Sequence, residues 1–206
     1  MNTAVYLNYV GLGSNLLHLA YCHQIADKYG PITIITLCEV LHQALDDDPK
    51  IKEIITLDQK NKTLFGIYKI SKILKKKNFD KIFIYYPSFR TQFAAKLASI
   101  KEVNFYSVAE KKNLHLVKKA KSYTEKWLKI DKCKTETKIY VSHKSKVLAA
   151  KKLKNNYKNI VLGIGSSGPT TKWGTKNYIE LAKKINLNSK SYFHILCGPK
   201  ESNLSE

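Results

Sequence analysis

The feature that most constrains the fold is a repeated alternation of short apolar runs with longer amphipathic segments. The apolar runs lie at 4–10, 32–37, 53–58, 81–87, 102–108, 159–165 and 192–198. Short, nearly continuous apolar runs are typical of strands that are buried on both faces. Because helical segments separate the runs, the sequence predicts an α/β protein with a parallel sheet.

The same pattern predicts two domains, at 1–145 and 146–206. Between the two groups of strands, residues 109–138 are rich in lysine and poorly periodic, which indicates a linker or surface helices. The second domain contains only two predicted strands, too few to form a covered parallel sheet. We therefore expect this domain either to pack on the first or, as we favour, to belong to a longer protein.

The charge of the chain suggests an anionic partner but does not favour nucleic acid. The formal net charge is +20, and Arg90 is the only arginine among 36 basic residues. Proteins that bind nucleic acid usually rely on arginine for bidentate contacts to guanine and phosphate. A near-complete preference for lysine indicates a general compositional bias, so we do not expect nucleic-acid binding.

The cysteines and the hydropathy pattern indicate a cytoplasmic protein without a metal site. Four cysteines without a CxxC pair predict reduced, mostly buried thiols, at Cys22, Cys38, Cys133 and Cys197. The N-terminus lacks the basic segment of a signal peptide, and no apolar stretch reaches 18 residues. The expected location is cytoplasmic, with contact to the inner membrane surface left open.

Two groups of polar residues do not predict a metal or catalytic site. His18, Cys22 and His23 are spaced like metal ligands on a helix, but no second pair of ligands accompanies them. Asp46, Asp47 and Asp48 directly precede Pro49, and this arrangement predicts a solvated turn.

The first candidate site is the glycine-containing segment VGLGSNLLH at 10–18. It follows the first strand and opens a helix predicted to continue to Tyr29, so its backbone N–H groups could bind an anion. Leu16 occupies the place of the third glycine of the dinucleotide-binding fingerprint. The segment can equally be a tight strand-to-helix turn.

The second candidate site is GIGSSGPTTKWGTKNYIEL at 163–181. Its backbone N–H groups, hydroxyls and an ammonium group could surround a diphosphate, the side chains being those of Ser166, Ser167, Thr170, Thr171 and Lys172. Thr175 is the expected cap of the following helix. The alternative is a flexible connection with Trp173 packed beneath it.

A third candidate follows the most strongly predicted strand, KIFIYYP. Ser88 is the expected N-cap of the next helix, and Arg90 lies two residues further on. Ligands of open α/β sheets bind at the carboxyl ends of the strands. Arg90 is therefore placed to bind a carboxylate or phosphate, or else to be an exposed helical arginine.

Five segments together resemble glycosyltransferase family 9, the heptosyltransferases of lipopolysaccharide core assembly. VGLGSNLLHLAYCHQIADKYGPITIIT is similar to the family's opening strand, turn and helix, and DPKIKEIITLD resembles its NPxIDEVI passage. YYPSFRTQFAAKLAS resembles its GxxRS element, which places Arg90 on the family's arginine. IVLGIGSSGPTTKWGTKNYIELA and HILCGPKE are similar to its donor loop and its LxGGPxE turn. The similar segments occur in the family's order along nearly the whole chain.

The resemblance implies a GT-B architecture of two Rossmann-like domains, an acceptor domain followed by an incomplete donor domain. It implies inverting, metal-independent transfer of a sugar from a nucleotide-sugar, for example an ADP-linked one, to a lipid-linked or other glycan acceptor, without a cofactor. The hydroxyls of the second candidate site and Lys172 would hold the donor phosphates. Gly13, Ser88 and Arg90 would face an anionic acceptor, at a membrane surface that suits the lysine-rich exterior.

The chain departs from the family's pattern in three places. Ser14, followed by Asn15, occupies the position of the family's aspartate, the catalytic base, and neither side chain is an effective base at neutral pH. Lys172 lies one residue before Trp173, whereas the family's lysine lies two before, where this chain has Thr171. The family's later nucleotide-binding segment is absent. A non-catalytic nucleotide- or sugar-binding module therefore remains the alternative to an active transferase.

Overall fold

The computed structural model describes residues 1–58, 64–107, 114–165 and 172–198. The chain consists of two compact units, Met1–Val141 and Ser142–Glu206. The boundary predicted from the sequence, after residue 145, lies a few residues later. The assignment of an acceptor role to the first domain and a donor role to the second stays a prediction.

The first unit is built on a five-stranded parallel sheet, which confirms the predicted α/β class. Its strands are β1 (Thr3–Leu7), β2 (Ile32–Thr36), β3 (Ile51–Thr56), β4 (Lys81–Ile84) and β5 (Glu102–Phe105). The order across the sheet is β3-β2-β1-β4-β5, and every pairing is parallel. All residues of β1, β2 and β4 are buried, as their apolar sequences require.

Helices cover both faces of this sheet. They are α1 (Leu12–Leu16), α2 (Leu19–Tyr29), α3 (Leu41–Leu45), α4 (Leu64–Lys77), α5 (Phe89–Leu97) and α6 (Leu116–Leu128). Successive strand residues point to opposite faces, so Val5 belongs to a core with α2, α3 and α6, whereas Tyr6 belongs to a core with α4 and α5. The lysine-rich region before residue 138 therefore contains a helix, α6, that packs into the core.

The single helix predicted to end at Tyr29 is two helices, with a break at Leu17 and His18. The ring Nδ1–H of His18 donates to the carbonyl oxygen of Ser14 at 2.7 Å. The backbone N–H of His18 instead donates to Asn15 O at 3.0 Å, one residue nearer than in an α-helix. The side chain of His18 thus replaces the backbone hydrogen bond that would continue α1.

The predicted solvated turn at the three aspartates is only partly correct. Asp46 and Asp47 are exposed, whereas Asp48 is buried. The ring Nε2 of His23 in α2 lies 2.7 Å from Asp48 Oδ2, and Asp48 Oδ1 accepts the backbone N–H of Lys50 at 3.0 Å. Asp48 is buried because these partners replace its hydration.

The second unit contains α7 (His143–Lys152), β6 (Lys158–Gly163), α8 (Thr175–Asn188) and β7 (Ser191–Leu196). The two strands pair in parallel over six residues. Leu162 and Ser191 are its buried side chains among the residues described, and apolar side chains such as Val161 and Leu196 are exposed. In the described parts of both units, no helix is long and apolar enough to cross a membrane.

Candidate functional site

The sheet of the first unit changes its winding direction between β1 and β4. From β1 the chain adds β2 and β3 on one side, and from β4 it adds β5 on the other. Open α/β sheets bind ligands at the carboxyl ends of the strands at such a point. The structure places two of the three candidate segments there, because the 10–18 segment follows β1, and Ser88 and Arg90 follow β4.

Asn15 fixes the turn after β1. Its amide Nδ2 donates to Tyr9 O at 2.9 Å and Gly11 O at 2.8 Å, and its Oδ1 accepts from Thr36 Oγ1 at 2.7 Å. The residue is 1% exposed, so these contacts replace its hydration entirely. Asn15 therefore positions the turn, and of the two residues at the family's aspartate position Ser14 is the more accessible.

Gly13 and Ser14 lie at the outer side of this turn. Gly13 is exposed, and a Cβ atom added to it would meet no protein atom within 4 Å. Ser14 is half-buried, and its carbonyl oxygen is held by His18. The protein itself therefore does not require glycine at position 13, and the space beside it is open to a ligand.

A group of aromatic rings packs next to this turn. The sequence motifs did not single it out. Tyr9 stacks on His18 with ring centroids 4.9 Å apart, and Tyr85 and Tyr86 meet these two rings edge-on. The hydroxyl of Tyr9 donates to Tyr85 O at 3.0 Å, which ties the segment after β1 to the segment after β4. The sequence signal was the YY pair at the end of β4 together with Tyr9 and His18 around the glycines.

Burial of these rings shifts the pKa of His18 and the pKa of Tyr9. Burial lowers the pKa of His18, and the hydrogen bond to Ser14 partly opposes the change. A carbonyl can only accept, so Nδ1 carries the proton of neutral His18, and Nε2 is left without a partner among the described residues. Burial, with the neighbouring Tyr86, raises the pKa of Tyr9 to about 12. Both rings are therefore uncharged at neutral pH.

Ser88 is the N-cap of α5, as predicted. Its Oγ accepts the backbone N–H of Thr91 at 3.3 Å and the Thr91 hydroxyl at 3.2 Å. Arg90 is exposed in the first turn of α5 and lines a groove of about 350 Å³. The acceptor contacts assigned to Gly13, Ser88 and Arg90 stay predictions, and the cap already engages the hydroxyl of Ser88.

The hydroxyls of the second candidate site lie outside the residues that the structure describes. They belong to Ser166, Ser167, Thr170 and Thr171. Lys172 lies at the edge of a cavity of about 260 Å³ between α8 and the two strands. Apolar side chains form most of the wall, among them Leu162, Ile164, Tyr178, Ile179, Phe193 and Ile195. The cavity therefore combines one ammonium group with an apolar interior.

The start of α8 differs from the prediction that Thr175 caps it. The N-cap is Gly174, and Thr175 is the first helical residue. Gly174 has φ of 93° and ψ of 144°, a conformation open essentially to glycine alone. Since glycine has no side chain, the N-cap residue itself provides no side-chain cap for the first N–H groups of α8.

Trp173 contacts α8 but is 52% exposed, so its ring is only partly packed. Its ring meets the ring of Tyr178 edge-on with centroids 5.0 Å apart, and the Tyr178 hydroxyl donates to Gly163 O at 3.0 Å. These contacts join the end of β6 to α8 across the base of the loop.

In the described parts of the chain, no group of three His, Cys, Asp or Glu side chains could hold a metal ion.

Comparison with known proteins identifies the architecture. No protein-family model and no curated protein matches the sequence. The structure aligns over 99% of its length with a family 9 glycosyltransferase from Veillonella parvula, at TM-score 0.74 and 17% identity, and with the E. coli ADP-heptose lipopolysaccharide heptosyltransferase II, at 0.71 and 15%. This chain has the fold of the family 9 glycosyltransferases.

The alignment also shows how much of that fold is present. The chain spans 65% of the Veillonella protein and 66% of heptosyltransferase II. The E. coli heptosyltransferase WaaC with ADP-2-deoxy-2-fluoro heptose aligns over 99% of this chain and 71% of its own, at TM-score 0.66 and 13% identity. The chain therefore has about two thirds of the length of the proteins whose fold it shares.

Proposed function

We propose that this chain belongs to a glycosyltransferase that moves a sugar, heptose or a similar one, from a nucleotide-sugar to a lipopolysaccharide-type or other glycan acceptor. The reaction inverts the anomeric centre and needs neither metal ion nor cofactor. The observation that carries the proposal is the GT-B fold shared with heptosyltransferases over 99% of the chain. Gly13, Ser88 and Arg90 lie after the carboxyl ends of β1 and β4, which supports the proposal.

The donor half-site is the cavity beside α8. A diphosphate lies against the ammonium group of Lys172 and the uncapped N-terminal N–H groups of α8, which favour negative charge. The hydroxyls of Ser166, Ser167, Thr170 and Thr171 complete the phosphate contacts. We assign ADP as the nucleotide because WaaC has been solved with ADP and an ADP-linked fluoroheptose.

The acceptor half-site is the carboxyl edge of β1 and β4. Gly13 leaves room for the acceptor, and Arg90 binds an anionic group of a glycolipid presented at a membrane surface. A serine hydroxyl is too weak a base to accept the acceptor's proton at neutral pH. Since inversion brings the acceptor in from the face opposite the diphosphate, its proton passes to solvent on that face, and Lys172 stabilises the charge of the departing diphosphate.

The second candidate function is a non-catalytic module that binds a nucleotide or sugar with the same fold. The observation that favours it is the position of the family's aspartate, where Ser14 cannot act as a base and the amide of Asn15 is consumed by the turn. The two functions share the donor half-site and differ only in turnover.

The donor half-site is tested by calorimetric titration of ADP, UDP and GDP into the chain. We expect ADP to bind most tightly and Lys172→Ala to weaken binding about tenfold or more, the effect of losing a charged hydrogen bond. Lys176→Ala removes another exposed ammonium group, from the first turn of α8, and should change the affinity by less than about twofold. Equal losses in the two variants, or no binding by folded protein, would reject the assignment.

A further inference from the structure

Helix α5 is apolar on two sides. One side carries Ala94 and Ala95, which are fully buried against the sheet. The other side carries Phe89, Phe93 and Leu97, which are 70%, 55% and 49% exposed. These three residues recur every fourth position and therefore form one stripe along the helix. A soluble helix needs only the first of these sides for packing.

The stripe borders a groove between α4 and α5. Its volume is about 350 Å³, and it is lined by Ile67, Phe89, Arg90, Gln92, Phe93 and Lys96. Gln92 is only 8% exposed, and its amide nitrogen has no hydrogen-bond partner among the described residues. An unpaired buried amide donor costs about 1–3 kcal/mol. A ligand oxygen in the groove would remove that cost.

The helices around the groove carry only positive charge. Neither α4 nor α5 contains an aspartate or glutamate, whereas Lys96 and Arg90 line the groove. On α4, the ammonium of Lys72 lies 4.8 Å from the ring centre of Tyr68, which is itself 52% exposed. Exposed aromatic rings beside lysines are the pattern of helices that lie on anionic lipid surfaces.

We propose that the groove between α4 and α5 binds an acidic phospholipid and so docks the first unit on a membrane surface. The lipid phosphate accepts from the Gln92 amide and the Lys96 ammonium. Its glycerol and upper acyl carbons contact Phe89 and Phe93. Ile67 and Leu97 suit hydrocarbon rather than the stacking of bases, and the near-absence of arginine disfavours nucleic acid.

This inference deepens the proposed membrane contact but does not depend on sugar transfer. It is therefore tested without nucleotide or acceptor, by co-sedimentation of the chain with vesicles. Phosphatidylcholine vesicles serve as the neutral probe, and vesicles that also contain phosphatidylglycerol serve as the anionic probe. We expect binding to the anionic vesicles only.

A net charge of +20 attracts the chain to any anionic surface, so vesicle binding alone does not locate the site. Substitutions of uncharged residues therefore decide whether the groove is the binding site. Replacing Phe89 and Phe93 together by serine should weaken binding about tenfold, since both rings leave the bilayer. The matched control replaces Leu148 and Leu187 by serine, two similarly exposed apolar residues on α7 and α8. It should change binding by less than about twofold, and equal losses in the two pairs would overturn the proposal.

Two further substitutions test the phosphate contacts. Gln92→Leu should weaken vesicle binding while leaving the protein as stable or more stable, because it removes an unpaired buried donor. Lys96→Gln on the exposed surface should weaken binding about fivefold, against a smaller loss for Lys176→Gln. Unchanged binding in both groove variants would overturn the proposal. The proposal would also be overturned if soluble glycerol phosphate saturated the site, because the groove would then be a site for free phosphate.

Light scattering without vesicles tests whether a second copy of the chain, rather than lipid, covers the stripe. We expect a monomer for both the unmodified chain and the variant with serine at positions 89 and 93. A dimer that this variant dissociates would mean that the stripe is an interface between copies, and would overturn the lipid proposal.

Discussion

At the scale of single residues, the turn after β1 depends on two polar side chains that the solvent does not reach. Asn15 holds the carbonyls of Tyr9 and Gly11, and His18 holds the carbonyl of Ser14. Their contacts determine where α1 ends and therefore where Gly13 and Ser14 lie. The backbone around Ser14, the residue predicted to take the place of the family's aspartate, is thus held by buried polar side chains.

The buried imidazole of His18 makes the stability of the turn depend on pH. Burial lowers its pKa in the folded state, so the unfolded chain binds the proton more readily. Its stabilising effect is therefore complete above the unfolded pKa of about 6.5 and falls as the pH decreases towards the lowered folded value. We expect the free energy of unfolding in urea to decrease between about pH 7.5 and about pH 5.5.

The control for this prediction is His18→Asn, which can still donate to Ser14 O but does not titrate. The decrease should be smaller in this variant than in the unmodified chain. Equal pH dependence in the two proteins would mean that groups other than His18 cause it.

At the scale of secondary-structure elements, the entry into α8 is set by the backbone of Gly174. Gly174→Ala should lower the free energy of unfolding of the second unit by about 1–3 kcal/mol, the usual cost of such strain. Its expected cause is the positive φ of 93°, because the added Cβ meets only the Asn177 amide at 3.9 Å. Urea unfolding followed by the fluorescence of Trp173 measures the change.

Gly163→Ala is the matched control for this prediction. Gly163 lies in β6, its φ is not positive, and a Cβ atom added to it would meet no atom within 4 Å. The substitution should be neutral or slightly stabilising, because alanine restricts the unfolded chain. A similar loss of stability in both variants would exclude backbone strain at Gly174 as the cause.

The elements that the sequence predicted well are those that follow from local chemistry. Apolar runs located every strand of the sheet, and the serine before Phe89 located the start of α5. The errors arose where a specific side-chain contact, rather than hydrophobic periodicity, decided the local structure. His23 buries Asp48 from 25 residues away, and the side chain of His18 breaks a helix that periodicity alone would continue.

The candidate site was predictable only in part for the same reason. Strand-to-loop junctions predicted that Gly13, Ser88 and Arg90 lie at one edge of the sheet, because parallel strands place their carboxyl ends there; their binding roles stay predictions. The stacking of Tyr9 on His18 and the engagement of Asn15 by Thr36 depend on tertiary packing between strands. The sequence places these residues near the turn, but no local pattern shows how they pack against one another.

At the scale of the whole molecule, the two units differ greatly in buried apolar surface. The first unit has two buried cores, whereas Leu162 is the buried apolar side chain of the second among the residues described. Since buried apolar area is the main source of stability, the second unit should unfold first. We expect two transitions in urea.

Each unit contains one tryptophan, which makes this expectation measurable. In Trp127→Phe, the fluorescence of Trp173 reports the second unit, and in Trp173→Phe, that of Trp127 reports the first. The Trp173 signal should change at the lower urea concentration. Coincident transitions would show that the two units unfold as one, and would contradict the difference in core size as the controlling factor.

The measurement that tests sugar transfer most directly is mass spectrometry of the acceptor after incubation with ADP-heptose. The acceptor is a lipopolysaccharide core that lacks heptose, and a chelator is present to exclude a metal requirement. We expect addition of one heptose, a lower rate for Arg90→Gln, and a rate about a hundredfold higher for Ser14→Asp, which supplies a general base. Nucleotide binding without transfer by either the unmodified chain or Ser14→Asp would contradict the account and establish the non-catalytic module.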